Sequence, residues 1–345
     1  MRRRRKAAPQ GGPVAVLATL CALASTSALA EQPLAERWFG PREWVRDSTG
    51  PIVSLGEPGD FDDTHIFAPC VAFEDGEYRL WYSGSSGRVE DRVFRLGLAV
   101  SRDGVRFEKD PRSPVYEFGD GKTSVLTATL LRNADGSVAR EDGRLRMWFT
   151  GADMTTTNPP HLLYETYSKD GIDWDPPSGP QLENIYAPTI LLDGAEYRMW
   201  YTDVEADPWK FRHASSRDGK NWTVTEEPVV VLDQDWEKGR LFYPAVLKLD
   251  GVYLLWYGSY WSEHKNKTAL GFAASRDGLA WEKHPESPVF RPDPDRAWES
   301  HYTTSQSVLR LPDGRLRMWY ATRKAPPFVN KYFALGTAVL EGFPD

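Results

Sequence analysis

The sequence has almost no cysteine: Cys21 and Cys70 are the two among its 345 residues. Cys21 lies in an N-terminal segment that we expect to be removed, so the mature chain has no internal disulfide. A domain of about 300 residues buries enough apolar surface to fold without such crosslinks. Because Cys70 lies inside a strand pattern with no histidine spaced to activate it, we interpret it as a small core residue.

Long hydrophobic runs are also missing, except near the N-terminus. A basic stretch, Arg2 to Lys6, precedes the apolar residues 14–24, and a small-x-small cleavage pattern ends at Ala30. This order predicts a signal peptide over residues 1–30, cleaved after Ala30, and therefore a secreted or periplasmic protein. The apolar run is too short for a transmembrane helix, and we expect no membrane span.

An excess of positive charge is absent as well. The formal net charge is −7, and removal of the five basic residues of the leader makes it −12. This balance argues against nucleic acids and anionic membrane surfaces as partners. The sequence has no histidine and cysteine cluster and no acidic loop of the EF-hand type, so we predict no metal site and no required cofactor.

Sustained helical periodicity is missing too, and a repeat of short apolar strands takes its place. Each repeat contains a tryptophan followed by an aromatic residue, six or seven residues after the Asp of an Asp-Gly pair, and this spacing predicts a β-hairpin. The five tryptophans are Trp81, Trp148, Trp200, Trp256 and Trp319. Four units continue into Ser-x-Asp-Gly, beginning at Ser101, Ser168, Ser216 and Ser275. A proline twelve residues before the tryptophan marks the inner strand in three units, at Pro69, Pro188 and Pro244, and Thr127 and Gln306 take that place in the other two.

These units predict an all-β, five-bladed β-propeller over residues 43–345, after a linker at 31–42. The fifth unit lacks a fourth strand. Trp44 stands seven residues before Pro51, as Trp281 stands before Pro288, so we predict that residues 43–46 pair with the last strand and close the ring. The insertion at 133–141 is expected to be a surface excursion.

The repeat unit, with its Tyr-Arg-Met-Trp-Tyr and Gly-x-Ala-x-Ser-x-Asp-Gly segments, resembles the five-bladed propellers of glycoside hydrolase families 43, 32, 68, 117 and 130. The segment from Tyr186 to Ile190 is similar to an inner strand common in family 43. The resemblance covers residues 43–345 and implies activity on glycosides. Ala68 stands before Pro69 where families 43 and 32 carry an aspartate, and the Arg-Asp-Pro and Glu-Cys motifs of other families are absent. By analogy alone the resemblance also suggests a Ca²⁺ ion on the axis.

Glycoside hydrolysis needs two carboxyl groups that face each other across the sugar, so they should come from different blades. We predict Asp62 or Asp63 as the base or nucleophile, and Glu183 or Asp203 as the acid, with its pKa raised by neighbouring carboxylates. An acid recurs near the position of Asp62 in four of the five units, which favours loop capping over a ring of carboxylates.

The remaining candidates break the repeat at the starts of inner strands or in the loops after second strands. They are expected to hold sugar hydroxyls, with arginines suited to acidic groups. The predicted substrate-binding residues are His65, Arg240, Tyr243, His301, Tyr302 and Arg323, with Glu205 and His264 on the same class of loop.

The leading hypothesis is a secreted glycoside hydrolase acting on a poly- or oligosaccharide at the propeller axis. A non-catalytic glycan-binding propeller is the alternative, and exposed aromatic residues without paired acids would favour it. A polysaccharide lyase is a third interpretation, with His65 or Tyr302 as base beside Arg240.

Overall fold

The computed structural model describes residues 33–263, 265–326 and 334–341. The predicted signal peptide and His264 lie outside these ranges. In the described residues, no helix is both long enough and apolar enough to cross a membrane.

The described residues form five antiparallel blades, as predicted, with a short helix before them. The elements before the first blade are α1 (Leu34–Trp38), β1 (Trp44–Arg46) and β2 (Val53–Ser54). Blade I contains β3 (His65–Glu74), β4 (Glu77–Ser85), β5 (Arg95–Ser101) and β6 (Glu108–Lys109). Blade II is built on β7 (Ser124–Leu130), β10 (Arg144–Ala152) and β11 (Leu162–Ser168), with an insertion that carries β8 (Arg132–Asn133) and β9 (Arg140–Glu141).

The other three blades follow the same order from the axis outward. Blade III contains β12 (Ile185–Asp193), β13 (Glu196–Asp203), β14 (Lys210–Ser216) and β15 (Thr223–Val224). Blade IV contains β16 (Leu241–Leu249), β17 (Val252–Tyr260), β18 (Thr268–Ser275) and β19 (Glu282–Lys283). Blade V contains β20 (Tyr302–Arg310), β21 (Leu316–Arg323) and β22 (Ala334–Leu340). Single 3-10 turns occur at Val89–Asp91 and Ala297–Glu299.

The ring closes as the sequence predicted. The N-terminal strand β1 supplies the fourth strand of blade V and pairs antiparallel with β22, with Trp44 opposite Leu340 and Arg46 opposite Ala338. Closure protects the edge that β22 would otherwise expose. Inside the predicted linker, α1 buries Leu34 and Trp38 against the core of blades IV and V.

The two most regular motifs of the sequence form one device that joins neighbouring blades. Each repeat tryptophan is almost fully buried, and four of them donate an indole N–H to the glycine carbonyl of a Ser-x-Asp-Gly turn in the next blade. The pairs are Trp81 with Gly171 (2.8 Å), Trp148 with Gly219 (3.2 Å), Trp200 with Gly278 (2.7 Å) and Trp319 with Gly104 (2.8 Å). The fifth tryptophan, Trp256 of blade IV, faces blade V, which has no Ser-x-Asp-Gly turn. Its ring packs edge-on against Trp44 of the closing strand instead. The repeat therefore encodes the blade interfaces as well as the blades.

Buried His213 in β14 makes stability depend on pH. Arg198 donates to its Nε2 atom at 3.2 Å, and burial together with that charge lowers the pKa of His213 to about 3. An unfolded histidine has a pKa of about 6.5, so the stability that neutral His213 contributes is present above that pH and is lost as the pH falls toward 3. We expect His213 to lower the free energy of unfolding by about 2 kcal/mol between pH 6.5 and pH 5. Urea denaturation of the protein and of a His213→Gln variant checks this, because glutamine keeps an acceptor for Arg198 without titrating. Equal pH slopes in both proteins would contradict the prediction.

Candidate active site

All five inner strands are interrupted by a bulge at the same depth. At each bulge a residue other than glycine adopts positive φ: Ala68 (52°), Thr127 (44°), Ala187 (49°), Tyr243 (56°) and Ser305 (45°). This conformation costs about 1 kcal/mol per residue, so neighbouring groups must hold it in place. Hydroxyl groups do so: Ser305 accepts from the Ala68 amide at 3.2 Å and Thr127 from the Ala187 amide at 3.1 Å. Pro69 follows the bulge residue of blade I, and Ala128 follows that of blade II. Ala128 is therefore the counterpart of Pro69, and the assignment of Thr127, which was predicted from spacing, is wrong.

The bulges lie just inside one opening of the axial channel, and we name the residues around this opening the axial rim. It is formed by residues at the starts of inner strands and in the loops that follow second strands, and these segments share one face of a propeller. The axial rim comprises Arg92, His161, Tyr186, Trp209, Arg240, Tyr243, Tyr260, Tyr302 and Arg323.

The aromatic residues of the rim contact one another across blades III and IV. The hydroxyl groups of Tyr186 and Tyr243 are 2.7 Å apart, and the ring of Trp209 lies 5.9 Å from that of Tyr186. Burial raises the pKa of Tyr186, against the opposing effects of the Tyr243 hydroxyl and of Arg92. Tyr186 is therefore a neutral phenol at physiological pH. Flat aromatic faces of this kind suit the apolar faces of sugar rings, and their hydroxyls suit sugar hydroxyls.

Three arginines add positive charge to the rim of a chain with negative net charge. Arg240 forms a two-point ion pair with Asp207, at 2.6 and 2.7 Å, and its guanidinium lies 4.1 Å from the centre of the Trp209 ring. Arg323 is buried and lies over the ring of Tyr302. Burial lowers the pKa of Arg92, while Tyr186 and Glu90 act in the opposite direction.

Asp63 and Glu183 are the predicted carboxylates whose side chains remain near solvent. The Asp63 carboxylate accepts from the Gly59 amide at 2.8 Å and from the Thr64 hydroxyl at 2.9 Å, and the Gly59 bond lowers the pKa of Asp63. Asp63 is therefore ionised at neutral pH, as a base or nucleophile must be. Glu183 is exposed just before β12, two blades away around the ring.

Asp62, in contrast, is part of a repeated scaffold contact. In three blades a buried acid accepts from the tyrosine that follows the repeat tryptophan and pairs with a basic residue on the fourth strand. The sets are Asp62 with Tyr82 and Lys109, Glu237 with Tyr257 and Lys283, and Glu299 with Tyr320 and Arg46. Glycines make room for each tyrosine: a Cβ atom on Gly97, Gly271 or Gly336 would lie 2.5–2.7 Å from its ring. The Asp62 carboxylate is therefore engaged by Tyr82 and Lys109 within the scaffold.

Asp203 is the buried acid of blade III, and its basic partner lies on the third strand instead of the fourth. The fourth strand of blade III has Val224 where blades I and IV have lysine, and its third strand has Arg212 where those blades have glycine. Asp203 is buried and pairs with Arg212 at 2.8 Å. The break in the repeat that made Asp203 a candidate acid is thus explained by a local exchange of scaffold partners.

Of the two predicted histidines that the structure describes, His65 is buried and His301 is partly exposed. His65 is buried with its ring against Phe94 and Phe67, at 4.8 and 5.1 Å. Burial, Lys267 and Arg323 lower the pKa of His301, whose Nδ1 lies 3.0 Å from the Ser300 hydroxyl.

Burial raises the pKa of Tyr302, which keeps its phenol protonated at neutral pH. The tyrosine base that the lyase interpretation requires is therefore not favoured. Five rim residues were not predicted from the sequence: Arg92, His161, Tyr186, Trp209 and Tyr260. Their common signal, an aromatic or basic residue outside the repeat, becomes visible only when the loops of different blades are placed together.

Comparisons with known proteins place the fold. No family model matches the chain. It is 24% identical over 236 residues to an uncharacterised Mycobacterium tuberculosis protein, covering 65% of this chain and 75% of that protein. It is 25% identical over 224 residues to a 1,2-beta-oligomannan phosphorylase from a Thermoanaerobacter species, covering 62% and 71%.

Two solved structures share the architecture over most of both proteins. A complex of BT0996 with RGII matches with a TM-score of 0.69 and 18% identity, covering 85% of this protein and 92% of that one. A GH130 structure, from a family of mannoside phosphorylases that contains glycoside hydrolases targeting beta-1,2 mannosidic linkages in Candida mannan, matches with a TM-score of 0.61 and 16% identity, covering 87% and 94%. The protein therefore has the fold of the five-bladed propellers that include these glycoside hydrolases and mannoside phosphorylases.

Proposed function

We propose that this protein is a glycan-active enzyme that cleaves a glycosidic bond at the axial rim. The observation that carries the proposal is the rim itself: tyrosine, tryptophan and arginine side chains from several blades surround the axis at the end where the inner strands begin. Aromatic rings beside a few polar and charged groups are the usual lining of a sugar site. The relatives with the same fold support action on glycosides.

In this proposal Asp63 acts as base or nucleophile and Glu183 donates a proton to the leaving oxygen. The two come from blades I and III, so a sugar over the axis would be approached by one carboxyl group from each of two different blades. A separation of about 5–5.5 Å would correspond to a retaining reaction, and about 6.5–9.5 Å to an inverting one with water between. Arg92 and Arg323 would orient an acidic or phosphorylated group by charge-assisted hydrogen bonds.

Phosphate is an alternative to water as the attacking group, because one relative is named a phosphorylase. Phosphate brings its own negative oxygen to the anomeric carbon, and the arginines of the rim suit such an anion. The proposal further includes export: residues 1–30 would direct the protein out of the cytoplasm before cleavage.

A non-catalytic glycan-binding propeller is the second candidate. It is favoured by one observation: Asp62 and Asp203, two of the four predicted catalytic acids, are bound into the scaffold. Such a protein would use the same rim to bind sugars without breaking bonds.

The proposal is tested by incubating residues 31–345 with a panel of neutral and acidic oligosaccharides, with and without inorganic phosphate. We expect new reducing ends in the arm without phosphate, or sugar 1-phosphates that appear only in the arm with phosphate. Binding without any product in either arm would replace the enzyme with the binding protein. Absence of both binding and product across the panel would contradict both candidates.

A further inference from the structure

The insertion in blade II is not a surface excursion. It forms a plug, residues 131–139, across the end of the axial channel opposite the rim. Its strand β8 pairs in parallel with β12 of blade III, with Arg132 opposite Leu191, and its Ala134 carbonyl accepts from the Lys248 amide of blade IV at 2.7 Å. A Cβ on Gly136 would lie 2.6 Å from the Leu247 side chain. The plug therefore closes one end of the channel.

Arg132 carries a positive charge from the plug into this closed end. It is 8% exposed, and one terminal nitrogen donates to the Val71 carbonyl at 2.6 Å, to the Ser307 hydroxyl at 3.3 Å and to the Cys70 sulfur at 3.6 Å. Its Nε is buried without a hydrogen-bond partner. None of the ion pairs between described residues includes Arg132.

The channel wall offers no negative charge to Arg132. The cavity has a volume of about 60 Å³, and of the eighteen described residues that line it, Arg132 is the one charged side chain. Burying a cation without a counter-charge is costly unless an anion accompanies it. This lining also does not fit the axial Ca²⁺ suggested by analogy, because Ca²⁺ needs several oxygen ligands with negative charge among them and no arginine beside it.

A second buried group, the side-chain amide of Gln306, indicates that the same cavity holds water. Gln306 donates its side-chain amide to the carbonyls of Tyr243 and Trp256, at 2.6 and 2.8 Å, which fixes the orientation of the amide. Its Oε1 atom is then left buried without a donor. A water molecule in the channel would supply that donor, and the volume is sufficient for a small ion with a few waters.

We propose that the closed end of the axial channel binds a small monovalent anion, chloride in size and charge, on Arg132. The anion neutralises the buried guanidinium, and its hydration water donates to Gln306. The site lies on the plug side of the channel, and although Tyr243 borders both the cavity and the axial rim, Arg132 is not a rim residue, so anion binding can be tested independently of the proposed activity.

The direct test is a crystal of the unmodified protein grown in bromide, with anomalous scattering recorded at the bromine edge. We expect a bromide peak within contact distance of the Arg132 guanidinium. Water alone at that position, with bromide bound only elsewhere, would overturn the proposal.

A solution measurement uses thermal unfolding in sodium chloride and in sodium gluconate at equal ionic strength. Chloride at tenfold above its dissociation constant should raise Tm by about 2–4 °C over gluconate. An Arg132→Met variant should lose this difference, and an Arg310→Met variant, which removes an exposed arginine, should keep it. A chloride effect of equal size in all three proteins would contradict the proposal, and the bromide experiment decides the matter if Arg132→Met does not fold.

Discussion

Replacing Asp63 with asparagine is expected to lower kcat on the best substrate by about 10²–10⁴-fold, the range of a general acid or base. The amide cannot take a proton or attack the anomeric carbon, although it keeps oxygen and nitrogen near the Gly59 amide and the Thr64 hydroxyl. Because Asp63 is half-exposed, Tm should change little. The measurement is steady-state kinetics of both proteins on a substrate identified in the panel.

The adjacent Asp62→Asn variant is the matched control. Asp62 is 1% exposed and is bonded to Tyr82 and Lys109, so its loss should lower Tm while kcat stays close to that of the parent at a temperature where the variant is folded. Unchanged turnover in Asp63→Asn would remove Asp63 from the catalytic machinery. A large loss of kcat in folded Asp62→Asn would show that the scaffold assignment is wrong.

Glu237→Ala is expected to have the largest effect on stability. Glu237 is buried, accepts from Tyr257 at 2.8 Å and pairs with Lys283 at 2.7 Å, so its removal leaves a buried phenol without its acceptor and takes one of two carboxylate partners from the Lys283 ammonium. Breaking a buried pair in this way costs about 3–5 kcal/mol, and the nearby Asp233, which also pairs with Lys283, places the expectation near the lower figure.

Asp120→Ala provides the comparison, because Asp120 occupies the corresponding place in blade II but caps an exposed turn through the Lys122 and Thr123 amides. Its loss should cost about 1 kcal/mol, as the loss of a cap does. Equilibrium denaturation of both variants measures the difference. Equal losses would mean that the contact of acid, tyrosine and base is not a special support of blades I, IV and V.

The fold was predictable because its information is periodic. The tryptophan, the Asp-Gly turn and the Ser-x-Asp-Gly turn recur with each blade, and the structure confirms five blades and the closing pair of β1 and β22. Even the device that joins blades, a tryptophan donating to a glycine carbonyl of the next blade, lies in residues that the repeat had already marked.

The site was harder to predict because a break in a repeat has two possible causes. Asp203 breaks the pattern since blade III exchanges a lysine on its fourth strand for Arg212 on its third, which is a matter of packing. Tyr186 and Trp209 depart from the pattern where loops meet over the axis, and sequence spacing does not record which loops meet. The plug shows the same limit, because its contacts to several blades are known only once the ring is closed.

The central claim, that a glycan is bound and cleaved at the axial rim, is tested most directly by a crystal structure of the Asp63→Asn variant with an oligosaccharide identified in the panel. We predict a sugar ring against Tyr186 and Trp209 at the starts of the inner strands, with its glycosidic oxygen between residue 63 and Glu183. A sugar bound at the outer edge of a blade, with the axial rim filled only by solvent, would contradict the claim.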